Sequence, residues 1–566
     1  MKKKKAPVLA FIAFVVILVV IALATKLVKK YTPTSEVMDS MEYFGISEAG
    51  EAALIMENQV SEYKGRIIDE VCYVDYEAVK SVLNDRFYWD AQSNLLIYTT
   101  PTDIIQIAAG SKDYTAMGKT STEDYEIVKT DGSNTYVALD FVQKYTNLEY
   151  EFFVEPDRIV ITNQWGDVQR ASIRKKAKLR CLGGIKSPIL RELEKNETVT
   201  ILQPMEDWTG IITQDGYIGY VTNKSLVDER TEKLERDFEE PEYTSMTRDY
   251  KINLVWHQIS TMESNYSILY DIASVEGVNV ISPTWFTIVS NDGDVQSLAL
   301  QDYVETAHAN DMEVWALIDN FSEAIDTATV LNHTESRMKI ENQLIASAIE
   351  VGFDGINVDF ENVSEDAAEG YIQFIRELSV KCRKNDLVLS VDVPVPMVFN
   401  EHYDREELGT VCDYVIIMGY DEHYAGSEEA GSVASLNFEK NGITETLKVV
   451  PKEKIISGIP FYTRLWNTVT NSDGTKTVTS EAMGMSAGMQ TLINNNIEAE
   501  WDEETCQNYA AFEGSDGSLY QIWLEDDESL EKKLELVKEH DLGGVAAWKL
   551  GLETDSVWDI IQKYVK

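Results

Sequence analysis

The chain has 566 residues, more than one ordinary domain holds, and this length predicts about two to four domains. Its formal net charge of -46 excludes a nucleic-acid-binding function, because a phosphate backbone requires a surface rich in Lys and Arg. The five cysteines are widely spaced without a CxxC pair, and the six histidines show no HExxH pattern. The sequence therefore predicts no disulfide framework, no metal site and no cofactor.

The amino end predicts a membrane-spanning segment. Lys2 to Lys5 precede an apolar run from Ala6 to Thr25, and about 20 apolar residues cross a bilayer as a helix. A secretory signal has a shorter apolar core of roughly 7–15 residues, so the length favours an uncleaved anchor over a signal cleaved near Ala24. Because the remainder is bulky and acidic, we expect the lysines to be cytoplasmic and the rest of this single-pass protein to lie outside the cell membrane.

Residues 42–167 predict an α+β domain built on a repeat. Tyr73–Leu83 is predicted to be a helix before a hairpin over Phe87–Tyr98, and Tyr136–Tyr145 a helix before a hairpin over Tyr150–Ile161. This repeat resembles the stalk modules related to the amino-terminal domain of copper amine oxidases. The resemblance implies a spacer or wall-contacting role.

Short strands and turns dominate residues 168–228. A strand at Trp208 is followed by an Asp215-Gly216 turn, a strand at Gly219–Val221 and a final Leu226. Strands this short around an Asp-Gly turn predict a small barrel. Their order resembles a bacterial SH3 domain, which implies binding of cell-wall peptide or glycan. The alternative is that Trp208 is only a core residue.

The largest segment alternates short apolar runs with longer amphipathic ones, which predicts parallel strands separated by helices. Eight such strands fit a (β/α)8 TIM barrel, whose active site lies at the carboxyl ends of the strands. The predicted strands are Ile252–Trp256, Val278–Ile281, Glu313–Ile318, Gly355–Phe360, Leu387–Val393, Tyr414–Met418, Ile455–Ile459 and Gly544–Trp548. The predicted order is a transmembrane segment at 1–30, a tether at 31–41, the α+β stalk domain at 42–167, the all-β SH3-like domain at 168–228, a linker at 229–249 and the α/β barrel at 250–566.

The fourth predicted strand carries polar residues on one face. Side chains alternate along a strand, so Asn357, Asp359 and Glu361 face one way and the apolar residues between them face the other. Polar groups inside a barrel are costly to bury unless they pair, which indicates a functional site. The alternatives are a satisfied buried network or an exposed edge strand.

This stretch, Asp354-Gly-Ile-Asn357-Val-Asp359-Phe-Glu361, resembles the Asp-x-x-Asp-x-Asp-x-Glu signature of family 18 glycoside hydrolases, the chitinases and related N-acetylglucosaminidases. Three further motifs resemble strands six, seven and eight of that family, in the expected order: Met418-Gly-Tyr420-Asp421, Gly458-Ile-Pro460-Phe-Tyr462 and Gly543-Gly-Val-Ala-Ala-Trp548. The resemblance implies a TIM barrel and a retaining, substrate-assisted hydrolase that cleaves β-1,4 bonds next to N-acetylglucosamine.

The resemblance also implies roles for the catalytic residues. Glu361 is expected to protonate the leaving oxygen and then activate water. Asp359 is expected to hold the acetamido N–H of the substrate, whose carbonyl acts as nucleophile, and Tyr420 to hydrogen-bond that carbonyl. Like charges on Asp359 and Glu361 are expected to raise a pKa.

The substrate-binding residues follow from the same motifs. Asp421 is expected to contact the sugar, Trp548 to stack on its apolar face, and Met418 and Tyr462 to line the site. Asp354 has the opposite parity, at the start of the strand, and is interpreted as structural.

One position departs from the family pattern, because Asn357 stands where the middle Asp is expected. An amide cannot share a proton, but we expect it to donate to Asp359 and keep that carboxylate ionised. The same form resembles the spore-cortex and wall-associated branch of the family, so the departure is not interpreted as loss of activity.

Weaker candidates lie at the ends of other predicted strands or just beyond them. They lie on the presumed active face or in loops after strand seven, and ordinary packing or helix capping explains each equally well: Trp285, Asn320, Asp392, Trp466, Glu525 and Asp526.

Three functions compete for the whole chain. The first is hydrolysis of peptidoglycan or chitin-like glycans, the second is glycan binding without catalysis on the same barrel, and the third is a structural or signalling role at the surface. Glu361, Asp359 and Tyr420 favour the enzyme. The anchor and the SH3-like segment favour a cell-wall substrate, because tethering raises its local concentration.

Overall fold

The computed structural model describes residues 5–116, 118–515 and 517–565. The chain divides into two compact units, one within Met1–Trp89 and Gln106–Glu240, the other within Asp90–Ile105 and Pro241–Lys566.

The first element is the apolar helix α1 (Lys5–Tyr31). Its stretch Val8–Tyr31 has 24 residues and a mean hydropathy of 3.2, with its apolar side chains exposed. At 1.5 Å per residue this helix is long enough to cross a hydrocarbon core of about 30 Å. No other helix of the described residues is both long and apolar enough to do so. A membrane anchor and a signal sequence both have this form.

The strands that precede the barrel are short: β1 (Ala52–Met56), β2 (Gln59–Ile68), β3 (Val71–Asp75), β4 (Phe87–Asp90), β5 (Leu95–Thr99), β6 (Ile104–Ala108), β7 (Asp113–Ala116), β8 (Lys119–Thr122), β9 (Val128–Asp131), β10 (Asn134–Ala138), β11 (Glu149–Phe153), β12 (Arg158–Thr162), β13 (Gly166–Ile173), β14 (Ala177–Arg180), β15 (Ile189–Leu193), β16 (Thr198–Pro204), β17 (Trp208–Thr213), β18 (Ile218–Thr222) and β19 (Leu226–Leu234). The helices of this part are α2 (Ser40–Tyr43), α3 (Tyr76–Ala78) and α4 (Leu139–Tyr145).

Two helices of the predicted repeat begin later than expected. Tyr73 and Tyr136, predicted to be helical, lie in β3 and β10, which pair antiparallel with Tyr136 opposite Asp75. Aromatic and β-branched residues favour strands, and the pairing satisfies their backbone groups. The helices begin only at Tyr76 and Leu139, so the expectation of helix from the first residue of each segment is wrong.

Two seven-stranded sheets organise the first unit. One has the order β11-β12-β1-β2-β3-β10-β9 and the other the order β15-β14-β18-β17-β16-β13-β19. In the second sheet β16, β17 and β18 are successive antiparallel neighbours, and β19 returns to pair with β13. Its core contains Leu179, Val199 and Ile211, fully or almost fully buried. The segment after residue 166 is therefore all-β, and its apolar core also includes Ala53 and Ile55 of β1.

The strands of the second unit are β20 (Ile252–His257), β21 (Val280–Ile288), β22 (Val295–Ser297), β23 (Glu313–Asp319), β24 (Gly355–Asp359), β25 (Val388–Pro394), β26 (Tyr414–Met418), β27 (Ile455–Pro460), β28 (Tyr462–Thr470), β29 (Lys476–Gly484), β30 (Glu500–Asp502), β31 (Gln507–Glu513), β32 (Leu519–Trp523) and β33 (Gly544–Trp548). The helices are α5 (Ile268–Asp271), α6 (Gln301–His308), α7 (Thr327–Leu331), α8 (Thr334–Val351), α9 (Glu365–Lys384), α10 (Arg405–Val411), α11 (Leu436–Thr446), α12 (Met485–Asn495), α13 (Asp527–Glu539) and α14 (Ser556–Val565).

Eight of these strands form a closed parallel barrel. Their order is β20-β33-β27-β26-β25-β24-β23-β21, and β21 pairs in parallel with β20 to close the ring. The predicted TIM barrel is thereby confirmed. The second strand runs farther than predicted, to Ile288, because its end pairs antiparallel with β22. An additional antiparallel sheet, β29-β28-β32-β31-β30, lies between the last two barrel strands in sequence.

Strand alternation separates two apolar layers of the barrel. Leu254, Trp315 and Ile416 belong to the inner layer, whereas Ile356 and Val358 belong to the larger layer between strands and helices. The predicted parity of the fourth strand is therefore correct, and its polar residues face inward.

A segment from the predicted stalk domain, Asp90–Ile105, clusters with the barrel unit. Asp90 Oδ2 accepts a hydrogen bond from the backbone N–H of Thr334 at 2.9 Å, at the start of α8. Gln373 Nε2 on α9 donates to Thr99 Oγ1 at 3.1 Å. The segment thus provides hydrogen-bond acceptors for a backbone N–H at the start of α8 and for the buried side chain of Gln373.

Candidate active site

Three aspartates lie side by side where β23, β24 and β25 end. Asp319 and Asp359 are paired in register. Val358 pairs with Val391, so Asp359 and Asp392, the next residue on each strand, are also neighbours. Neighbouring strands lie roughly 4.8 Å apart, so the three carboxyl groups occupy one level of the barrel. None is more than 8% exposed. This aspartate row places several acidic groups in a space with little water.

Glu361 lies two residues beyond the end of β24, with its side chain exposed to solvent. Asn320, beyond the end of β23, holds its backbone twice. Asn320 Nδ2 donates to Glu361 O at 2.9 Å, and Glu361 N donates to Asn320 Oδ1 at 3.0 Å. Asn320, a weaker candidate from the sequence, therefore fixes the position of the predicted acid.

Asn357 is fully buried, and its amide is held from four sides. Oδ1 accepts from Trp256 Nε1 at 2.9 Å and from Ser282 Oγ at 3.2 Å. Nδ2 donates to Ser390 Oγ at 3.1 Å and to Asp392 Oδ1 at 2.8 Å. The expectation that Asn357 donates to Asp359 is therefore wrong, because both amide hydrogens are already directed to β25.

The site carboxyl groups favour their protonated forms. Burial raises the pKa of Asp359 well above its usual value, and the nearby charges of Asp392, Glu361 and Asp319 raise it further. Burial among the surrounding side chains also raises the pKa of Glu361, with Asp421 and Asp319 adding to the effect. The expected like-charge effect is thus found at Asp359, whose pKa the charge of Glu361 raises, whereas the charges that raise the pKa of Glu361 are those of Asp421 and Asp319.

Aromatic rings form the floor of the site. The ring of Trp256 lies 5.9 Å from that of Trp548 and 6.4 Å from that of Tyr420, and Tyr420 lies 6.3 Å from Tyr462. Trp548 and Tyr420 are only partly buried and pack on the inner layer of the barrel. Tyr462 Oη donates to Asp421 Oδ1 at 2.5 Å. The predicted residues of strands six, seven and eight are therefore brought together.

The remaining motif residues take two different positions. Met418 is half-buried at the end of β26, next to the site residues that follow it. Asp354 precedes β24, where its Oδ2 accepts from Val314 N at 2.8 Å and lies 2.8 Å from His308 Nε2. Asp354 thus ties the amino end of the strand to its neighbours, away from the carboxyl ends.

Four weaker candidates have structural positions instead. Trp285 is buried in the outer layer, where its Nε1 donates to Asn265 Oδ1, and buried Trp466 donates to the backbone of Gly431. Glu525 is fully buried and pairs with Lys533 at 2.6 Å, and Asp526 caps α13. The contacts of these four residues are therefore those of core packing and helix capping.

Several inward residues were not identified from the sequence. Trp256 ends a predicted strand, and Asp319 ends an observed strand. Both lie on the same strand face as the inner apolar residues, so side-chain alternation could have identified them. The serine partners of Asn357, Ser282 and Ser390, had no such signal, because register between strands decides which residues meet. Within the described part of the chain, no group of three or more His, Cys, Asp or Glu side chains is placed to hold a metal ion.

Residues 270–553 match the Glycosyl hydrolases family 18, and they comprise half of the chain. The chain belongs to glycoside hydrolase family 18. Its barrel is a glycoside hydrolase domain, with the signature residues Asp359 and Glu361 at the carboxyl end of the fourth strand.

Relatives of this family 18 chain carry several names. It is 27% identical over 302 residues to the uncharacterized glycosylase YvbX of Bacillus subtilis, covering 51% of this chain and 85% of the relative. It is 25% identical over 235 residues to the cortical fragment-lytic enzyme of the same species, covering 40% of this chain and 54% of that enzyme. The C-terminal domain of a putative chitinase from Desulfitobacterium hafniense has a similar fold, with a TM-score of 0.51 at 20% identity over 56% of this chain and all of that domain. The chain thus spans only about half the length of the cortical enzyme.

Proposed function

We propose that this family 18 protein cleaves β-1,4 bonds next to N-acetylglucosamine in cell-wall peptidoglycan or chitin-like glycans, with retention of configuration. The observation that carries the proposal is Glu361, an accessible carboxyl of raised pKa held beside a buried row of aspartates. A general acid must hold its proton near neutral pH, and a raised pKa allows this.

In the first step Glu361 protonates the glycosidic oxygen while the carbonyl oxygen of the substrate's own acetamido group attacks the anomeric carbon. The product is an oxazolinium ion, and the ionised Glu361 then takes a proton from the water that opens it. The two hydrogen bonds between Asn320 and the backbone of Glu361 support this assignment, because they fix the backbone of the acid.

In the same step Asp359 orients the acetamido N–H and stabilises the positive charge that develops. Oδ1 of Asp359 is buried and has no hydrogen-bond partner among the residues that the structure describes, and the acetamido N–H is a donor suited to it. Tyr420 is assigned to the acetamido carbonyl, because burial and the charges of Asp359 and Asp392 hold its hydroxyl protonated. Each group thus interacts most strongly with the charged transition state.

The sugar ring is proposed to lie on Trp548, whose partly exposed ring offers an apolar face. Asp421 contacts a sugar hydroxyl, and the hydrogen bond from Tyr462 fixes its orientation. Met418 and Asn357 support the site, Met418 at its edge and Asn357 from below.

The test uses the full chain in detergent, incubated with purified peptidoglycan and with chitin oligomers, beside Glu361→Gln. We expect reducing ends from at least one N-acetylated glycan and none above background from the variant. Fully deacetylated oligomers should resist cleavage, because they lack the internal nucleophile. Equal rates for variant and wild type would refute the role of Glu361, and cleavage of deacetylated oligomers would refute the substrate-assisted mechanism.

The wall is proposed as the place of action. The apolar helix is proposed to anchor the protein, residues 42–167 to act as a stalk and residues 168–228 as an SH3-like module that binds wall peptide or glycan. The half-buried Trp208, which starts β17, is the proposed contact. Co-sedimentation with peptidoglycan sacculi should fall for Trp208→Ala, and an unchanged bound fraction would contradict this contact. Amino-terminal sequencing of the membrane fraction distinguishes an anchor from a cleaved signal.

A further inference from the structure

The signature of this chain lacks one carboxyl group. Asn357 stands where the family pattern has Asp, and an amide cannot share a proton with a neighbouring carboxylate. Its oxygen accepts from β20 and β21, and both amide hydrogens are directed to β25. Asn357 therefore makes none of these bonds to Asp359, the residue next to it on the same face of β24.

A carboxyl group stands on the neighbouring strand instead. Val388 and Ser390 of β25 face inward, and alternation places Asp392 on the same face, 1% exposed. One step beyond the paired residues Val358 and Val391 it comes beside Asp359. Asn357 Nδ2 holds one Asp392 oxygen at 2.8 Å and so fixes its orientation.

We propose that Asp392 is a positioning residue that shares one proton with Asp359, in place of the carboxyl group that position 357 lacks. The proposal rests on the hydrolase function proposed above and assigns it a further residue. Two buried carboxyl groups on adjacent strands cannot both ionise without a large cost, so one proton between them is the favoured state.

The shared proton gives Asp359 two useful states. Before the substrate binds, the single proton of the coupled pair is distributed over the two carboxyl groups. When the acetamido N–H arrives, the proton moves fully to an oxygen of Asp392, and Asp359 becomes the ionised acceptor. One O–H bond breaks and one forms, no other reactant takes part, and the charge of the pair stays at minus one.

Other titratable groups face this pair from every side. Asp319 and Glu361 act on Asp359 from β23 and from beyond β24, and both raise its pKa. The hydroxyl of Tyr420 lies beyond β26, and that of Tyr371 lies on α9 behind the strands. The hydroxyl of Tyr403 also interacts with Asp359, and Arg405 on α10 donates to the backbone oxygens of Pro394 and Asn400.

Loss of the Asp392 carboxyl should change the acid side of the pH–rate curve. A coupled pair has two apparent pKa values, and Asp359 is ionised with the proton on its partner anywhere between them. In Asp392→Asn, Asp359 titrates alone, at a single pKa between those two values. The acid limb should therefore move to higher pH, by roughly one pH unit or more for a pair coupled this strongly.

The experiment compares four forms of the full chain in detergent on the same N-acetylated glycan, with kcat and KM followed from pH 3 to 9. They are the wild type, Asp392→Asn, the exchange variant Asn357→Asp/Asp392→Asn, and the control Glu439→Gln. Glu439 is a buried barrel carboxyl that accepts from Ser457 on β27, outside the aspartate row. The exchange variant returns one inward carboxyl to the neighbourhood of Asp359.

For Asp392→Asn we expect kcat to fall roughly 100-fold, the lower end of what acid–base groups contribute, with KM within about threefold. The exchange variant should regain at least about tenfold and return the acid limb toward the wild type, and Glu439→Gln should leave the curve in place. Wild-type and Asp392→Asn curves that coincide would overturn the proposal. So would an exchange variant as slow as Asp392→Asn.

A second readout does not depend on turnover. Infrared spectra at neutral pH should show the C=O stretch of a protonated buried carboxyl that disappears in both Asp359→Asn and Asp392→Asn. A spectrum that loses no protonated-carboxyl band in either variant refutes the shared proton, even for a glycan that is not cleaved. Absence of all hydrolysis by the wild type with this band present would refute the proposed function and leave the proton pair supported.

Discussion

Two almost completely buried carboxyl groups in the same barrel, Glu377 and Asp359, behave in opposite ways. Between α8 and α9, Glu377 accepts from Arg337 Nε at 3.0 Å and from a second guanidinium nitrogen at 3.1 Å. Burial raises the pKa of Glu377, but Arg337 together with the hydrogen bonds to Glu341 and Gln373 lowers it further, and the net shift is downward. In the aspartate row, burial raises the pKa of Asp359 and every neighbouring charge raises it again.

The difference lies in the partner, since both carboxyl groups are almost completely buried. Among the residues that the structure describes, no Lys or Arg forms an ion pair with Asp359, Asp392 or Glu361. A buried carboxylate without a cation is costly, and burial accordingly raises the pKa of both Asp359 and Asp392. Pairing with a cation indicates structure, and its absence at the mouth of the barrel indicates chemistry.

The largest loss of activity should come from Glu361→Gln. The amide keeps the shape but carries no transferable proton, so kcat should fall by about 10⁴-fold, the upper end of what acid–base groups contribute. The measurement is product release from the cleaved glycan, beside thermal unfolding, which should be unchanged. Glu350→Gln, an exposed change on α8, is the control that should leave both unaltered. A Glu361→Gln enzyme as active as the wild type would show that Glu361 is not the general acid.

Arg337→Leu tests how much the ion pair between Arg337 and Glu377 contributes to stability. It leaves Glu377 buried without its cation, which should cost about 3–5 kcal/mol of unfolding free energy, measured by urea titration. Activity per folded molecule should stay within about twofold, because Arg337 bonds to Leu331, Thr334 and Glu377, none of which is assigned to the site. Replacing both partners by apolar residues should recover much of the loss. A single variant as stable as the wild type would show that this pair does not contribute.

Glu439 is an intermediate case that sharpens the comparison. Burial raises its pKa to about 7, although Lys533 and the hydrogen bond from Ser457 lower it. Because this folded-state pKa exceeds the unfolded value of 4.5, its contribution to stability is complete below pH 4.5 and is lost as pH rises through 7. The loss should approach about 3 kcal/mol. Urea midpoints from pH 4 to 8 should show less decline in Glu439→Gln, and parallel curves would contradict the assignment.

The smallest of these effects should come from Asp421→Asn, which changes the pKa of Glu361. After burial, the charge of Asp421 is the largest cause of the raised pKa of the acid. Its removal should lower that pKa, so Glu361 loses its proton earlier and the alkaline limb of kcat moves to lower pH. A shift of one unit corresponds to about 1.4 kcal/mol. A limb that stays in place or moves upward would exclude Asp421 as a cause.

Sequence alone predicted the barrel well because its strands combine apolar periodicity with helical spacers. The parity of Asn357, Asp359 and Glu361 followed from alternation, and that of Asp319 was equally available. The partner of Asn357 was not predictable, because it depends on the register between β24 and β25. The sequence also cannot separate Trp285, a core residue beside a strand end, from a cleft residue.

The route of the chain between its two units has a practical consequence. The polypeptide enters the barrel unit at Asp90, leaves it after Ile105 and enters it again at Pro241. Expression from residue 250 onward, the boundary suggested by the sequence, deletes the acceptor that Asp90 provides to Thr334. An isolated barrel of that length should begin with a frayed α8 and a lower melting temperature than the same barrel supplied with a peptide of residues 90–105.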